Sequence, residues 1–358
     1  MKYTYLSFVT CLLCLFTACE PYFNLNAPYK DVTVVYGILN YQDSIHYVKI
    51  YKGFQSYGQN GVYLNAQNPD SIYYNPAHID VVLQEYRDNR PTGRRIKLET
   101  TDNFPRDTGI FYYGDERIIY YTKEEIKQYM SYKIIITNLI TGKVTEGQTP
   151  IVGDFIIEGK TLNMIGRPNN RNGEVSFGRA EHAAGYEIHV NFVYFEVDKN
   201  TNQVVKTDRI VKNVTPVLGE KFNLNAEGRF TKSFPLTFYD DIAAQLKYNP
   251  DVIRYAGSPN PTDSSAFLEV EGWAAGESMI KFLLSNQPTN SFTQINILYT
   301  NMKTIDDELA FGFLSSKVKS PITHFGITYD SEDSLVKGPK TGHLGFRYRR
   351  EYTPYPNF

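Results

Sequence analysis

The only thiols in this 358-residue chain are Cys11, Cys14 and Cys19. A thiol is a strong nucleophile, so its neighbours decide what it can do. Cys11 and Cys14 follow Thr10 and Leu13 inside an apolar run over residues 6–16. Cys19 closes that run behind the small pair Thr17-Ala18. A run of eleven residues reaches only about 16 Å as a helix, at ~1.5 Å per residue. A membrane span needs about 20. A charged start at Lys2, a short apolar core and small residues at its end are the layout of a cleaved secretory signal.

Thr17-Ala18-Cys19 adds something specific to that layout. It resembles a bacterial lipoprotein lipobox, with Phe16 where Leu is more usual. The resemblance implies removal of residues 1–18 and a diacylglycerol on the Cys19 thiol. It also implies an acyl chain such as palmitate on the new amine. Two or three chains give stable anchoring where one is marginal. Cys19 is therefore the expected lipid-attachment residue. An ordinary signal peptide with a cysteine at the cut is the bland reading.

Other chemistry is sparse. The six histidines are His46, His78, His182, His189, His324 and His343, and none forms an HExxH or His-x-x-x-His pair. Glu187 and His189 share a strand face with His182 nearby, which an ordinary solvent face also explains. Asp198, Asn200 and Asn202 copy the start of a Ca²⁺ loop. Gln203 then stands where Gly is needed and Arg209 where Glu is needed, so a hairpin turn fits better. The acidic stretches at 306–308 and 330–333 suit weak cation binding or plain solvated loops. Gly276-Glu277-Ser278 lacks the closing glycine of a nucleophile elbow. There is no GxGxxG, P-loop or redox Cys pair. The expectation is a non-enzyme with no cofactor and no metal site.

Composition sets the frame for these residues. After cleavage one cysteine remains and it is acylated, so no disulfide forms within the mature chain. Stability must come from burial, and about 340 residues suit two domains better than one. Removing residues 1–18 takes away only Lys2, so the formal charge of −2 becomes −3. Such a surface has no general attraction for nucleic acid. Local basic spots at Arg94-Arg95 and at Arg347, Arg349 and Arg350 are placed in water by strand alternation. With 29 Tyr, 22 Phe and a single Trp, Trp273, the chain favours half-buried sheets and partner contacts over a Trp-rich glycan platform.

The elements follow from alternation. Residues 19–30 hold two prolines and two asparagines and read as an extended tether. Residues 32–39 and 46–52 form a hairpin. Residues 55–76 lack periodicity and read as a long loop, a candidate contact surface. Strands follow at 79–86, 94–101, 110–113, 118–121, 132–139 and 143–149. Up to two helical turns are expected at 122–126, with Thr122 as cap and Glu125 three residues on. Pro150 marks a boundary. Beyond it, Tyr186, Ile188, Val190, Phe192 and Tyr194 share one face of a strand over 186–197. Further strands are expected at 204–211, 222–232, 267–273, 278–284, 292–299, 309–318, 323–329 and 343–348. One short helix is expected near 237–249. The fold class is mostly β, with two β-sandwich-like (immunoglobulin- or fibronectin-like) domains at 31–150 and 151–358.

Several stretches together resemble one group of Bacteroidota exported lipoproteins built from β-rich domains. They are Val34-Val35-Tyr36-Gly37-Ile38-Leu39, His46-Tyr47-Val48-Lys49-Ile50, and Thr141-Gly142-Lys143 leading to Thr149-Pro150. The later ones are Tyr186-Glu187-Ile188 and Tyr299-Thr300-Asn301 before Phe311-Gly312-Phe313-Leu314-Ser315. That group is similar to lipoproteins associated with outer-membrane transporter or barrel-assembly complexes. The resemblance implies a non-catalytic accessory or scaffold subunit on the outer membrane, with a barrel protein or other lipoproteins as partners. A glycan- or peptide-binding surface lipoprotein is the alternative, and a hydrolase with dispersed residues the third. Only Glu20 is acidic between Cys19 and Asp31, which leaves the cell-surface or periplasmic face open.

Overall fold

A computed structural model describes residues 31–53, 68–102, 118–159, 161–162, 173–218, 230–234, 238–260, 267–286, 299–305 and 309–353. The architecture is mostly β, built from several sheets. Strands β1 (Thr33–Leu39) and β2 (His46–Lys52) form the expected hairpin, with alternate residues buried along each. Next come β3 (Ile79–Arg87), β4 (Arg90–Lys97), β5 (Glu99–Thr101), β6 (Ile119–Thr122), β7 (Ser131–Asn138) and β8 (Val144–Pro150). Asp88 and Asn89 join β3 to β4 with φ of 49° and 61°. Asp and Asn tolerate this left-handed region, which matches the twist of a two-residue hairpin. Val81, Leu83, Ile96, Ile134 and Ile136 from β3, β4 and β7 meet Val35, Val48 and Ile50 of the first hairpin. Two sheets thus close one apolar layer, the sandwich arrangement.

The later strands are β9 (Ile157–Glu158), β10 (Thr161–Leu162), β11 (Gly173–Phe177), β12 (Ala183–Asp198), β13 (Val204–Leu218), β14 (Phe230–Phe234), β15 (Val252–Ala256), β16 (Leu268–Gly276), β17 (Lys303–Thr304), β18 (Ala310–Lys319), β19 (Thr323–Ile327) and β20 (Phe346–Arg347). Strand β12 is the spine of this half. It pairs with β13 along one edge and with β16 and then β15 along the other, all antiparallel. Tyr186, Ile188, Val190, Phe192 and Tyr194 are all buried, as the alternation requires. They pack under Val175 and Phe177 of β11, Ile157 of β9, and two helices through Ile242 and Leu335.

The two halves share one sheet. Strand β18 lies parallel to β1, from Thr33 opposite Ala310 to Leu39 opposite Ser316. It also pairs antiparallel with β16. The resulting order is β20-β15-β12-β16-β18-β1-β2-β6-β5. Met302, Ala310 and Leu314 cross over to join the core built from Val35 through Ile151, while Val152 through Phe346 supply the second core.

The helix expected near 237–249 is present as Phe238–Gln245. Three further α-helices occur among the described residues: Pro69–Ile72, Glu277–Ser285 and Tyr329–Lys337. The second corrects the strand expected at 278–284. Ile280 points inward while Leu283 and Leu284 are exposed, and Gly276 starts the helix with Glu277 in its first turn. The two turns expected at 122–126 are absent. Thr122 ends β6 and its hydroxyl accepts from the Glu124 N–H at 3.1 Å, an alternative to helix that Thr readily takes. Residues 330–333 stand on a helix capped by Thr328 rather than in a loop. Only Phe346–Arg347 is strand within 343–348, flanked by short 3₁₀ turns. The strand expected at 110–113, residues 1–30 with the expected signal and tether, and residues 222–229 and 292–298 lie outside the described residues.

Candidate functional site

Cys19 and the tether lie outside the described residues, so the site begins where the body does, at Asp31. Three partners hold that residue. The Tyr74 hydroxyl donates to its Oδ1 at 2.6 Å and the Asn138 amide to its Oδ2 at 3.0 Å. The buried Lys143 ammonium donates to its carbonyl oxygen. Tyr74 is placed by the 68–78 stretch, where Asn68 and Asn75 cap two short helical turns that each start with Pro. Asn138 and Lys143 flank the β7–β8 turn, and the Asn138 side chain accepts from the N–H groups of Ile140 and Thr141. The start of the body is thus fixed beside the β7–β8 turn. The rest of the expected contact loop, residues 55–67, falls outside the described residues.

Some of the short stretches singled out in the sequence, those at 34–39, 149–150, 299–301 and 311–315, meet at one seam. Val34-Val35-Tyr36-Gly37 lies opposite Phe311-Gly312-Phe313-Leu314 in parallel register. Asn301 stitches across it: its amide donates to the Leu314 and Gln148 carbonyls and its oxygen accepts from the Leu314 N–H. The Ser316 hydroxyl donates to the Pro150 carbonyl at 2.6 Å and accepts from the Val152 N–H at 3.0 Å. Gln42, in the β1–β2 turn, exchanges both amide bonds with the backbone of Lys319. Tyr36, Phe282 and Phe313 form an aromatic cluster over the seam, with centroids 4.7–5.9 Å apart. These residues do structural work that no single-strand pattern reveals.

The other candidates resolve into local pairs. His189 sits 2.9 Å from Glu187 on the half-exposed side of β12, and His182 lies 3.5 Å from Glu181. No group of three or more His, Cys, Asp or Glu that could hold a metal ion occurs among the described residues. Asp198 accepts from the N–H groups of Asn200 and Thr201 in the β12–β13 turn, and those bonds hold its carboxyl below its ordinary value. Ser278 is bonded to Tyr299 and Asn301 at 3.1 and 2.8 Å. Its hydroxyl helps hold the helix Glu277–Ser285 to the seam. Asp333 accepts from Tyr348 and pairs with Lys337, and Glu332 accepts from the Arg349 N–H, so both fasten the C-terminal segment.

Sequence reading missed two buried networks. Glu85 accepts from Thr92 at 2.9 Å, Tyr132 at 2.9 Å and Arg94 at 3.2 Å. Burial pushes its carboxyl up, and the three hydrogen bonds outweigh it and hold the group below its ordinary value. Arg94 is therefore only half in water, unlike its neighbour Arg95. Arg254 donates from Nε to Glu196 at 2.9 Å and from Nη1 to the Leu344 carbonyl at 2.7 Å, deep in the second sandwich. The expected solvated basic spot is also more ordered than alternation implied. Arg349 stacks on Phe195 and Tyr352, and Arg350 on Tyr329 and Tyr348. Sequence signals for the two buried networks are weak, since the partners are 7 to 90 residues apart.

No protein-family model and no curated protein matches this chain. No helix among the described residues is long and apolar enough to cross a membrane.

Proposed function

We propose that this protein is a lipoprotein anchored in the outer membrane through acylated Cys19, serving as a non-catalytic accessory or scaffold subunit beside an outer-membrane barrel or other lipoproteins. The observation that carries this reading is Thr17-Ala18-Cys19 closing an eleven-residue apolar run behind Lys2. The fixed start of the body supports it. A tether from Cys19 to Lys30 has twelve residues and spans at most about 40 Å, at ~3.5 Å per residue. It delivers its pull to Asp31, which Tyr74, Asn138 and Lys143 hold in place. The test is detergent extraction of a tagged protein, mass spectrometry of its N-terminal peptide, and identification of co-purifying chains. An acylated Cys19 and a stoichiometric barrel partner are expected. Recovery only as a monomer counts against the scaffold role, and an unmodified thiol counts against the anchor.

A glycan- or peptide-binding role has one observation in its favour. Tyr329 is 56 % exposed and stacks on Tyr348, with centroids 6.1 Å apart and planes at 4°. Arg350 lies over both rings. Tyr348 itself is buried, so Tyr329 is an exposed ring backed by a buried one, a platform for a planar or sugar face. Trp273 offers less, because it is only half-exposed and two cations, Lys317 and Lys319, lie over its ring. An array of glycans and peptides reads this role, and loss of any signal in Tyr329→Ala places it. A flat array removes it.

A further inference from the structure

Large aliphatic side chains gather in water at the end of the body where the tether arrives. Leu139 and Ile140, at the tip of the β7–β8 turn, are 58 % and 70 % exposed. Turn tips normally carry polar residues or glycine, so a Leu-Ile pair there is out of place. Ile305 is 68 % exposed and its N–H donates to the carbonyl of Val144, the first residue of β8. Leu309 is 61 % exposed and immediately precedes Ala310, whose register partner is Thr33. Asp31 lies two residues before Thr33 and is bonded to Asn138 and Lys143 on either side of the same turn. All four aliphatic residues therefore cluster around the point where the chain enters the body. The helix Glu277–Ser285 advances toward this end as well, with Met279 beside Ser315 and Phe282 beside Phe313, and it exposes Leu283 and Leu284.

Single exposed aliphatic residues are ordinary, but a contiguous group is a contact surface. We propose that Leu139, Ile140, Ile305 and Leu309 seat this end of the body in the surface of the lipid bilayer that holds the anchor. The proposal rests on the reading of Cys19 as acylated. The tether decides the occupant. Twelve residues ending at Asp31 keep this end within about 40 Å of the acylated residue. Tethering raises the effective concentration of the patch at the membrane to about the millimolar range, so a few side chains suffice for stable contact. Seating of this kind places apolar side chains roughly 5–10 Å into the boundary between headgroups and acyl chains. The body then stands on its β7–β8 end, with the long sheet rising from the membrane. The β13 edge, four strands from β1 across the sheet, is left for partners.

The test uses the full chain with its own first eighteen residues, so that Cys19 is available for acylation. Ile140→Cys, Ile305→Cys and Val205→Cys each add one thiol to the mature protein. An environment-sensitive fluorophore is placed on each. The proteins are reconstituted into vesicles of phosphatidylethanolamine and phosphatidylglycerol, with or without brominated acyl chains, and the mass of the N-terminal peptide is read in parallel. The expected result is loss of emission at positions 140 and 305 in brominated vesicles, with position 205 unchanged. Acylated, vesicle-bound protein whose three positions are quenched alike, or not at all, overturns the seating and leaves the anchor standing. A Cys19 without acyl chains overturns the anchor, and the seating with it.

Discussion

Gly312 lies against Val35 so closely that a Cβ built on it would come within 1.9 Å of the Val35 carbonyl oxygen. Its φ is +88°, a conformation that L side chains avoid. The parallel pairing of β18 with β1, and with it the union of the two halves in one sheet, depends on the missing side chain.

Gly312→Ala is therefore expected to cost at least about 3 kcal/mol, combining backbone strain with a clash that backbone atoms cannot relieve. Gly142→Ala provides the control. Gly142 also has positive φ, at +74°, but nothing lies within 4 Å of its ideal Cβ. Strain alone should then cost about 1–2 kcal/mol. Denaturant midpoints compare the two, and equal losses would mean that the close approach to Val35 does not matter.

The Arg254–Glu196 pair should behave as a buried ion pair. Removing one partner strands the other charge, so Arg254→Met alone is expected to destabilise by about 3–5 kcal/mol. Adding Glu196→Leu to the same protein should recover most of that loss. A double variant no better than the single one would assign the cost to the lost Arg254 bond with Leu344 instead.

His46 is buried, and neither ring nitrogen has a hydrogen-bond partner among the described residues. Burial lowers its pKa from 6.5, and nearby Asp43 opposes this only in part. The unfolded chain then binds the proton first as pH falls, so stability drops below about pH 6.5. The drop is at most about 1.4 kcal/mol for each pH unit until the folded group protonates. His46→Phe should flatten the stability profile between pH 7 and 5. An unchanged slope in thermal melts would place the acid sensitivity elsewhere.

Glu85 acts in a lower window. Its folded pKa is held below 4.5, so its contribution is complete above that value and disappears as pH falls through the lower folded one. Tyr132→Phe removes one hydrogen bond to the buried carboxylate and should cost about 1.5–3 kcal/mol near neutral pH. The loss should shrink toward pH 3. Melting curves at both pH values check it, and a constant difference would assign the cost to the Lys127 N–H, which donates to the same hydroxyl at 2.9 Å, rather than to the charge.

The sequence determined what is local. Alternation in residues 186–194 set the buried face of β12, because side chains of a strand point to opposite sides and only one side is apolar. Residues 32–39 and 46–52 declared a hairpin in the same way, and the spacing of Phe238, Ile242 and Leu246 declared a helix. An apolar run such as Met279-Ile280-Lys281-Phe282-Leu283-Leu284 fits either period, and there the helix was decided by burial of Ile280 and packing of Phe282 on Phe313 of β18. The proposed acylation of Cys19 rests on a motif that is contiguous in the chain. The clamp on Asp31 is not, since its partners come from positions 74, 138 and 143. Nor is the pairing of Val34-Val35-Tyr36 with Phe311-Gly312-Phe313, about 275 residues away. No short-range pattern encodes which distant edge a strand will meet. Only the folded chain brings those edges together, and it does so where a glycine leaves room for a carbonyl.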